Sequence, residues 1–409
     1  MEFELSMLFL VSFFVFVYFL HKIRAPPKLN FPPGPQKFPF IGNLHLFAAS
    51  QHTPFQQTLR DLSKKYGPLM HLQLGEIDTI IVSSPETAKL IMKTHDITFA
   101  SRPSLLLAED VSHGNKSIAL APYGEYWRQM RKIYSLELLT TKRVRSFRTI
   151  REEEVSDLCK WIALHQGQKI DLTEKISSAS YNTMVKACVG KKIDENAKFI
   201  ATIRKIAEFL SIFRIADVYP SIKFLPVITG VRRKIDKMHQ QLDKMLANIV
   251  EERIRTKNNN NDDVGEDKQE DLLDVLLNIQ SDESHELPLT CNNIKFLLAV
   301  SSTTSSTVLD WAMAEMLKNP EILKKAQDEV RQTFDGNGFV DESRFDELKY
   351  LRAVIKETLR LHPPAPLLLP RVSRERCEIN GYEIPEKTWV LVNAWAIGRD
   401  PEYWEEARN

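Results

Sequence analysis

Lys356-Glu357-Thr358-Leu359-Arg360 sets a carboxylate and a guanidinium three residues apart. On a helix those two side chains share a face and can meet. An arginine fork matched to a carboxylate is strong and geometrically fixed when it is removed from water, whereas a solvated pair of the same spacing contributes little. The spacing predicts a buried Glu357–Arg360 pair, closed off by the helix-stopping run Leu361-His362-Pro363-Pro364-Ala365-Pro366. A second pairing stands in Tyr123-Gly124-Glu125-Tyr126-Trp127-Arg128-Gln129-Met130-Arg131. Trp127 and Arg131 are four apart on one helical face, and an indole N–H beside a guanidinium makes a donor set for carboxylates. Read alone, that stretch is a basic amphipathic helix with its aromatic in the core. Metal chemistry by protein ligands finds no support. Cys159, Cys188, Cys291 and Cys377 are scattered, and the ten histidines include no His-Glu-x-x-His pattern.

The elements that must position these groups can be read from periodicity. Phe55 to Tyr66 is an amphipathic helix, Leu69–Leu74 and Thr79–Val82 pair as strands, and Ser84-Pro85 opens a helix running to about Thr94. Arg145–His165, Ser177–Val189, Asn196–Ile212 and Val231–Lys257 carry helix-period apolar residues, with a break at Asp217-Val218-Tyr219-Pro220-Ser221. Ile294 to Asn319 is expected as a long central helix. Its hydroxyl run from Ser301 to Thr307 is a poor helix interior, since those side chains compete for backbone groups. Asn380-Gly381 marks a hairpin between Cys377–Ile379 and Tyr382–Ile384, and Thr388–Asn393 is a further strand.

At the front, Leu5 to Leu20 is apolar apart from two serines and is followed by His21, Lys22 and Arg24. Its length, close to the ~20 residues of a span, and the basic downstream flank predict an uncleaved anchor with the rest cytosolic. Pro26-Pro27 and Phe31-Pro32-Pro33-Gly34-Pro35 form a stiff extended linker. The expected organisation is an anchor over residues 1–24, a proline-rich hinge over 25–47, and one large domain over 48–409. A net charge of +1, from 55 basic and 54 acidic residues, gives no electrostatic case for nucleic acid.

These motifs in this order resemble the cytochromes P-450, the haem-thiolate monooxygenases, and within them the large plant microsomal group. The resemblance covers nearly the whole chain. It implies a mainly α fold with a small β-sheet (α+β), haem as cofactor, and Glu357–Arg360 as the structural pair locking the core beneath it. It also implies that Trp127, Arg131 and Arg371 bind the haem propionates. By the same resemblance the loop from Phe99 to Pro122 is expected over the substrate pocket, with Leu105–Leu107 and Ile118–Leu120 as candidate lining, and Thr304 is expected as the catalytic threonine whose hydroxyl hydrogen-bonds dioxygen. Two departures accompany it, Ser301 in place of the family's glycine and Thr303 in place of its proton-relaying acid.

The implied reaction inserts one oxygen atom from dioxygen into a small apolar, terpenoid-like or other plant specialised metabolite. Electrons come from an NADPH-dependent reductase, and the setting is the endoplasmic reticulum membrane, crossed once with the catalytic part cytosolic. None of the four cysteines lies in a glycine-rich haem loop, and the chain is expected to stop before the family's iron-ligating cysteine. The contrasting expectation is therefore a catalytically inactive fragment. The two differ in whether a thiolate-haem centre forms.

Overall fold

A computed structural model describes residues 29–409 apart from 49–52, 107–108, 110–113, 115–116, 192–195, 211–213, 260–269, 282–302, 335–339 and 408–409. The expected anchor and the stretch Ile294–Ser302, with Ser301, lie outside the described residues. No helix among the described residues is long and apolar enough to cross a membrane. The chain divides into two units, one of residues 29–100 with 370–393, the other of 101–369 with 394–407.

The first unit is built on a sheet. Helix α1 (Phe55–Tyr66) precedes β1 (Leu69–Leu74) and β2 (Ile77–Val82), an antiparallel pair in register Leu69↔Val82 through Leu74↔Ile77. Helix α2 (Pro85–Lys89) starts as expected, the Ser84 hydroxyl accepting the Thr87 N–H at 3.3 Å with Pro85 in the first turn. It continues as a π-helical turn over Leu90–Thr94. Strands β3 (Arg371–Val372), β4 (Cys377–Ile379), β5 (Tyr382–Ile384) and β6 (Trp389–Val392) come from the far end of the sequence. The four-stranded order is β1-β2-β6-β3, with β6 parallel to β2 and antiparallel to β3, while β4 and β5 form their own hairpin. At its turn Asn380 (φ 53°) and Gly381 (φ 80°) are both left-handed, as a two-residue type I′ connection requires. Every residue of β6 is buried, so it reads as a continuous apolar run, without alternation.

The proline-rich stretch is docked along this sheet. Phe31 stacks on the His71 imidazole at 4.2 Å, the Pro33 carbonyl accepts the His71 N–H at 3.0 Å, and Asn43 donates to the Pro35 and Gln36 carbonyls. A Cβ on Gly34 would meet the His71 carbonyl at 2.0 Å, so only glycine passes there. The reading of this stretch as an extended linker missed these contacts, because stiffness is legible in composition and docking is not.

The second unit is helical. Helices α3 (Glu125–Ile133), α4 (Arg148–Leu164), α5 (Leu172–Val189), α6 (Asn196–Leu210), α7 (Ile215–Val218), α8 (Val231–Asn259) and α9 (Leu272–Ser281) lead to α10 (Thr303–Lys318). Then come α11 (Pro320–Phe334), α12 (Lys349–Leu361) and the short α13 (Ala394–Ile397). The main core joins Met130 and Ile133 of α3, Tyr181 and Val185 of α5, Phe199 of α6, Leu242 and Leu246 of α8, and Leu273 of α9. A smaller core joins α10, α11 and α12 through Ala312, Met316, Ala326, Leu351 and Val354.

Several boundaries differ from expectation. Helix α5 begins five residues before Ser177, at Leu172, because the Asp171 carboxylate accepts the Glu174 N–H at 2.9 Å. The helix expected over Arg145–His165 is interrupted at Phe147 (φ −88°, ψ 13°). Part of the expected break at Asp217 is helical, as α7. Thr303–Thr307 are helical despite their hydroxyls; packing of α10 on α5 and α12 outweighs their weak propensity.

Candidate cofactor-binding site

Helix α12 carries the structural pair. Its N-cap, Leu348, has no side chain able to cap, and Glu329 of α11 takes over. That carboxylate accepts the N–H groups of Tyr350 at 2.7 Å and Leu351 at 2.9 Å. At the other end Arg360 donates from Nε to Glu357 Oε2 at 2.8 Å and from Nη2 to Glu357 Oε1, a bidentate fork. Nη1 reaches the carbonyls of Gly398 and, at 3.3 Å, Ala407; Nη2 also reaches the Glu406 carbonyl at 3.5 Å. The guanidinium lies 4.7 Å from the centre of the Trp404 ring. Its five N–H groups thus find at least five acceptors among the described residues.

The expected burial of this pair holds for one partner only. Arg360 is 7% exposed, but Glu357 is 48% exposed. The reason is geometric. Carbonyls of the segment after α13 cover the arginine from one side, and no element among the described residues covers the outward flank of α12 where Glu357 sits.

Trp127 and Arg131 come together as their spacing implies, with the Arg131 guanidinium 5.5 Å from the indole centre. Arg131 is exposed and makes no ion pair among the described residues, so it remains available to an anionic ligand. The indole N–H is already donated to the Ile118 carbonyl at 2.9 Å. An indole has one donor, and in this arrangement the Ile118 carbonyl occupies it, while Arg131 keeps its donors free of any described carboxylate.

Arg371 belongs to the first unit, where it donates to Asp96 at 2.8 Å and to the Phe99 carbonyl at 3.3 Å. Thr304 is exposed in the first turn described for α10. One arrangement on α10 escaped sequence reasoning. The Trp311 indole stacks on the His362 imidazole at 3.9 Å and 5°, and His362 Nε2 meets Glu315 Oε1 at 2.8 Å. Trp311 and Glu315 are one turn apart in sequence, which is the only signal that could have paired them.

The residues fit a haem in part. An unpaired guanidinium over an aromatic face suits a propionate. Among the described cysteines none suits the iron. Cys188 is buried in the main helical core, and burial pushes its thiol up to about 12. Cys377 stands in the β4–β5 hairpin, where burial also pushes its thiol up, and Cys159 is exposed on α4. None of these three stands in a glycine-rich loop.

The match to the cytochrome P450 family model spans residues 32–409. The chain is 46% identical to salviol synthase of Salvia pomifera over 98% of its own length and 80% of that protein's. It is also 46% identical to premnaspirodiene oxygenase of Hyoscyamus muticus, over 98% of this chain and 81% of that one. A zebra fish cytochrome P450 structure with progesterone superposes with a TM-score of 0.75 at 25% identity, over 88% of this chain and 83% of that one. The chain belongs to the cytochrome P450 family, whose cofactor is haem.

Proposed function

We propose that this chain serves a plant monooxygenase reaction on a small apolar, terpenoid-like substrate, with electrons from an NADPH-dependent reductase. The observation that carries the reading is the 46% identity to two plant relatives, one named for salviol and one for premnaspirodiene, across nearly the whole chain. Bound haem supplies the oxygen chemistry. In this reading Arg131, and Arg371 by the family resemblance, would each offer a guanidinium to a haem propionate, Arg360 would stiffen α12, and Thr304 would supply a hydroxyl for hydrogen bonding. Thr303 does not ionise at neutral pH, so proton delivery by a carboxylate at that position is absent. The apolar run Leu5–Leu20, with Lys22 and Arg24 behind it, supports a single membrane crossing in the endoplasmic reticulum with the remainder cytosolic.

A second reading is a chain that folds but turns nothing over, supported by the placement of the described cysteines: Cys188 is buried in the main helical core, and neither Cys159 nor Cys377 stands in a glycine-rich loop. Co-expression of the full chain with a plant NADPH-dependent reductase in membranes tests both. The first reading expects a thiolate-haem absorption band after reduction under carbon monoxide, and an oxygenated product from premnaspirodiene that requires NADPH. Absence of the band with intact folding selects the second.

A further inference from the structure

His71 stands in the middle of β1, in the first unit, and three of its parts each hold something different. Its backbone N–H is donated to the Pro33 carbonyl at 3.0 Å, so it serves the proline-rich stretch and not the β1–β2 ladder. Its ring lies against Phe31, 4.2 Å between centres and 18° from parallel. Its Nε2 meets Oδ1 of Asp78 on β2 at 2.7 Å. Two residues on, the Gln73 N–H goes to the Asn43 side-chain oxygen at 2.8 Å, and the Gln73 carbonyl accepts the Asn43 N–H at 2.6 Å. Phe31 to Asn43 thus forms a strap along β1. That strand is the outer one of the order β1-β2-β6-β3, and the strap covers N–H and C=O groups that an edge otherwise leaves open.

The strap closes over an ionisable ring. His71 is 3% exposed, and an imidazolium there loses its hydration, of which a phenyl face returns only part. Two charged groups face the ring. Asp78 favours the charged form, but it belongs to β2 and stays beside His71 whether the strap is docked or not. Lys37 belongs to the strap, its Nζ 5.6 Å from the centre of the Phe31 ring, and repels a second cation only while the strap is docked. Docking therefore adds burial and a like charge, and both act against the imidazolium. Burial holds the imidazole below its ordinary range, against the bond from Asp78 and together with the charge of Lys37. Lys37 is the only titratable residue in the strap itself, so near neutrality a change of pH acts through His71.

We propose that His71 is a proton-operated lock on this strap. Neutral, it holds Phe31 to Asn43 along β1; protonated, it lets the strap go and opens the β1 edge. A histidine whose docked value is lowered contributes fully above its ordinary range. The contribution is lost as pH falls below that range, because the released ring takes up the proton first. The released state has two open donors, His71 and Gln73, on an edge strand, the arrangement that pairs with another chain. The lock involves neither haem nor substrate and stands apart from the function proposed above.

The test is hydrogen exchange on the full chain in nanodiscs, read as protection relative to the intrinsic rate at each pH. The His71 and Gln73 amides report the strap, and the Leu72 amide, in the β1–β2 ladder, reports the sheet. From about pH 7.5 to about pH 5 the wild type is expected to lose roughly tenfold in protection at His71 and Gln73, within the limit of about tenfold per pH unit that one proton sets, with Leu72 unchanged. His71→Phe keeps a ring against Phe31 and cannot titrate, so its protection should be flat across that range. Should it fail to fold, His71→Gln, which keeps a donor for Asp78, is expected to give the same flat profile. Lys37→Gln removes a repulsion present only in the docked state and should shrink the loss. Flat protection at His71 and Gln73 in the wild type overturns the lock. Equal loss at Leu72 also overturns it, since the sheet and not the strap then opens, and so does an undiminished pH dependence once His71 is replaced.

Discussion

Arg360 uses every N–H it has, and Glu357 supplies only two of its five acceptors. The two halves of the pair should therefore respond unequally to removal. Arg360→Ala strips three backbone carbonyls and a carboxylate of their donor in a covered site, and is expected to cost about 3 kcal/mol or more. Glu357→Ala leaves the arginine with three carbonyls and removes a carboxylate that is half in water, a loss of about 1 kcal/mol. Urea denaturation of the two variants gives the ordering directly, and equal losses would restore a symmetric buried pair. Gly398 belongs to the same network. A Cβ there would sit 2.5 Å from the Arg360 carbonyl, so Gly398→Ala should destabilise as much as Glu357→Ala, though it removes no charge. The spacing of Glu357 and Arg360 made their contact legible in the sequence. The carbonyls of Gly398, Glu406 and Ala407 were not, since backbone acceptors leave no mark on residue type. The same holds for Trp127, whose donor type was legible and whose partner, the Ile118 carbonyl, was not.

Helix α12 shows how one element depends on another for its end. Glu329 of α11 caps it, and desolvation, which pushes that carboxyl up, is outweighed by the N–H groups of Leu351, Tyr350 and Lys349, which hold it low. A carboxyl with a lowered folded-state pKa contributes stability above its ordinary range and loses it as the pH falls through the folded value. Glu329→Gln should flatten the acid limb of the stability profile and lower the melting temperature by roughly 2–4 °C at neutral pH, as loss of a cap does in a large domain. Asp271 behaves in the opposite sense. Burial pushes it to about 6, against the Asp274 N–H that it caps and the nearby Arg253. Its contribution is full below the ordinary carboxylate range and is lost as pH rises through about 6. Asp271→Asn keeps a capping oxygen and should remove that dependence, seen as a flatter melting profile between about pH 4 and 6. Element ends separate what local sequence carries from what it does not. Ser84 and Asn380-Gly381 act on neighbours within three residues and were legible. Glu329 acts across 21 residues of sequence and was not.

At the scale of the whole molecule, the sequence carried the mainly helical class and the small sheet, because periodicity and turn chemistry are local. It did not carry the parallel pairing of β2 with β6, which joins strands some three hundred residues apart through apolar runs alike on both faces. The membrane prediction belongs to this scale too. The apolar run Leu5 to Leu20, with Lys22 and Arg24 behind it, is the basis for expecting an anchor whose downstream flank is cytosolic. No described helix is long and apolar enough to cross. If the first 24 residues are the sole crossing, their deletion should release the remaining chain from microsomes at high salt, while the full chain resists both salt and alkaline carbonate. A protease added to sealed microsomes should digest the full chain down to a short protected fragment that keeps the amino terminus. A deleted chain that still resists carbonate would place a crossing elsewhere. A fully protected full chain would reverse the orientation and remove the domain from a cytosolic reductase.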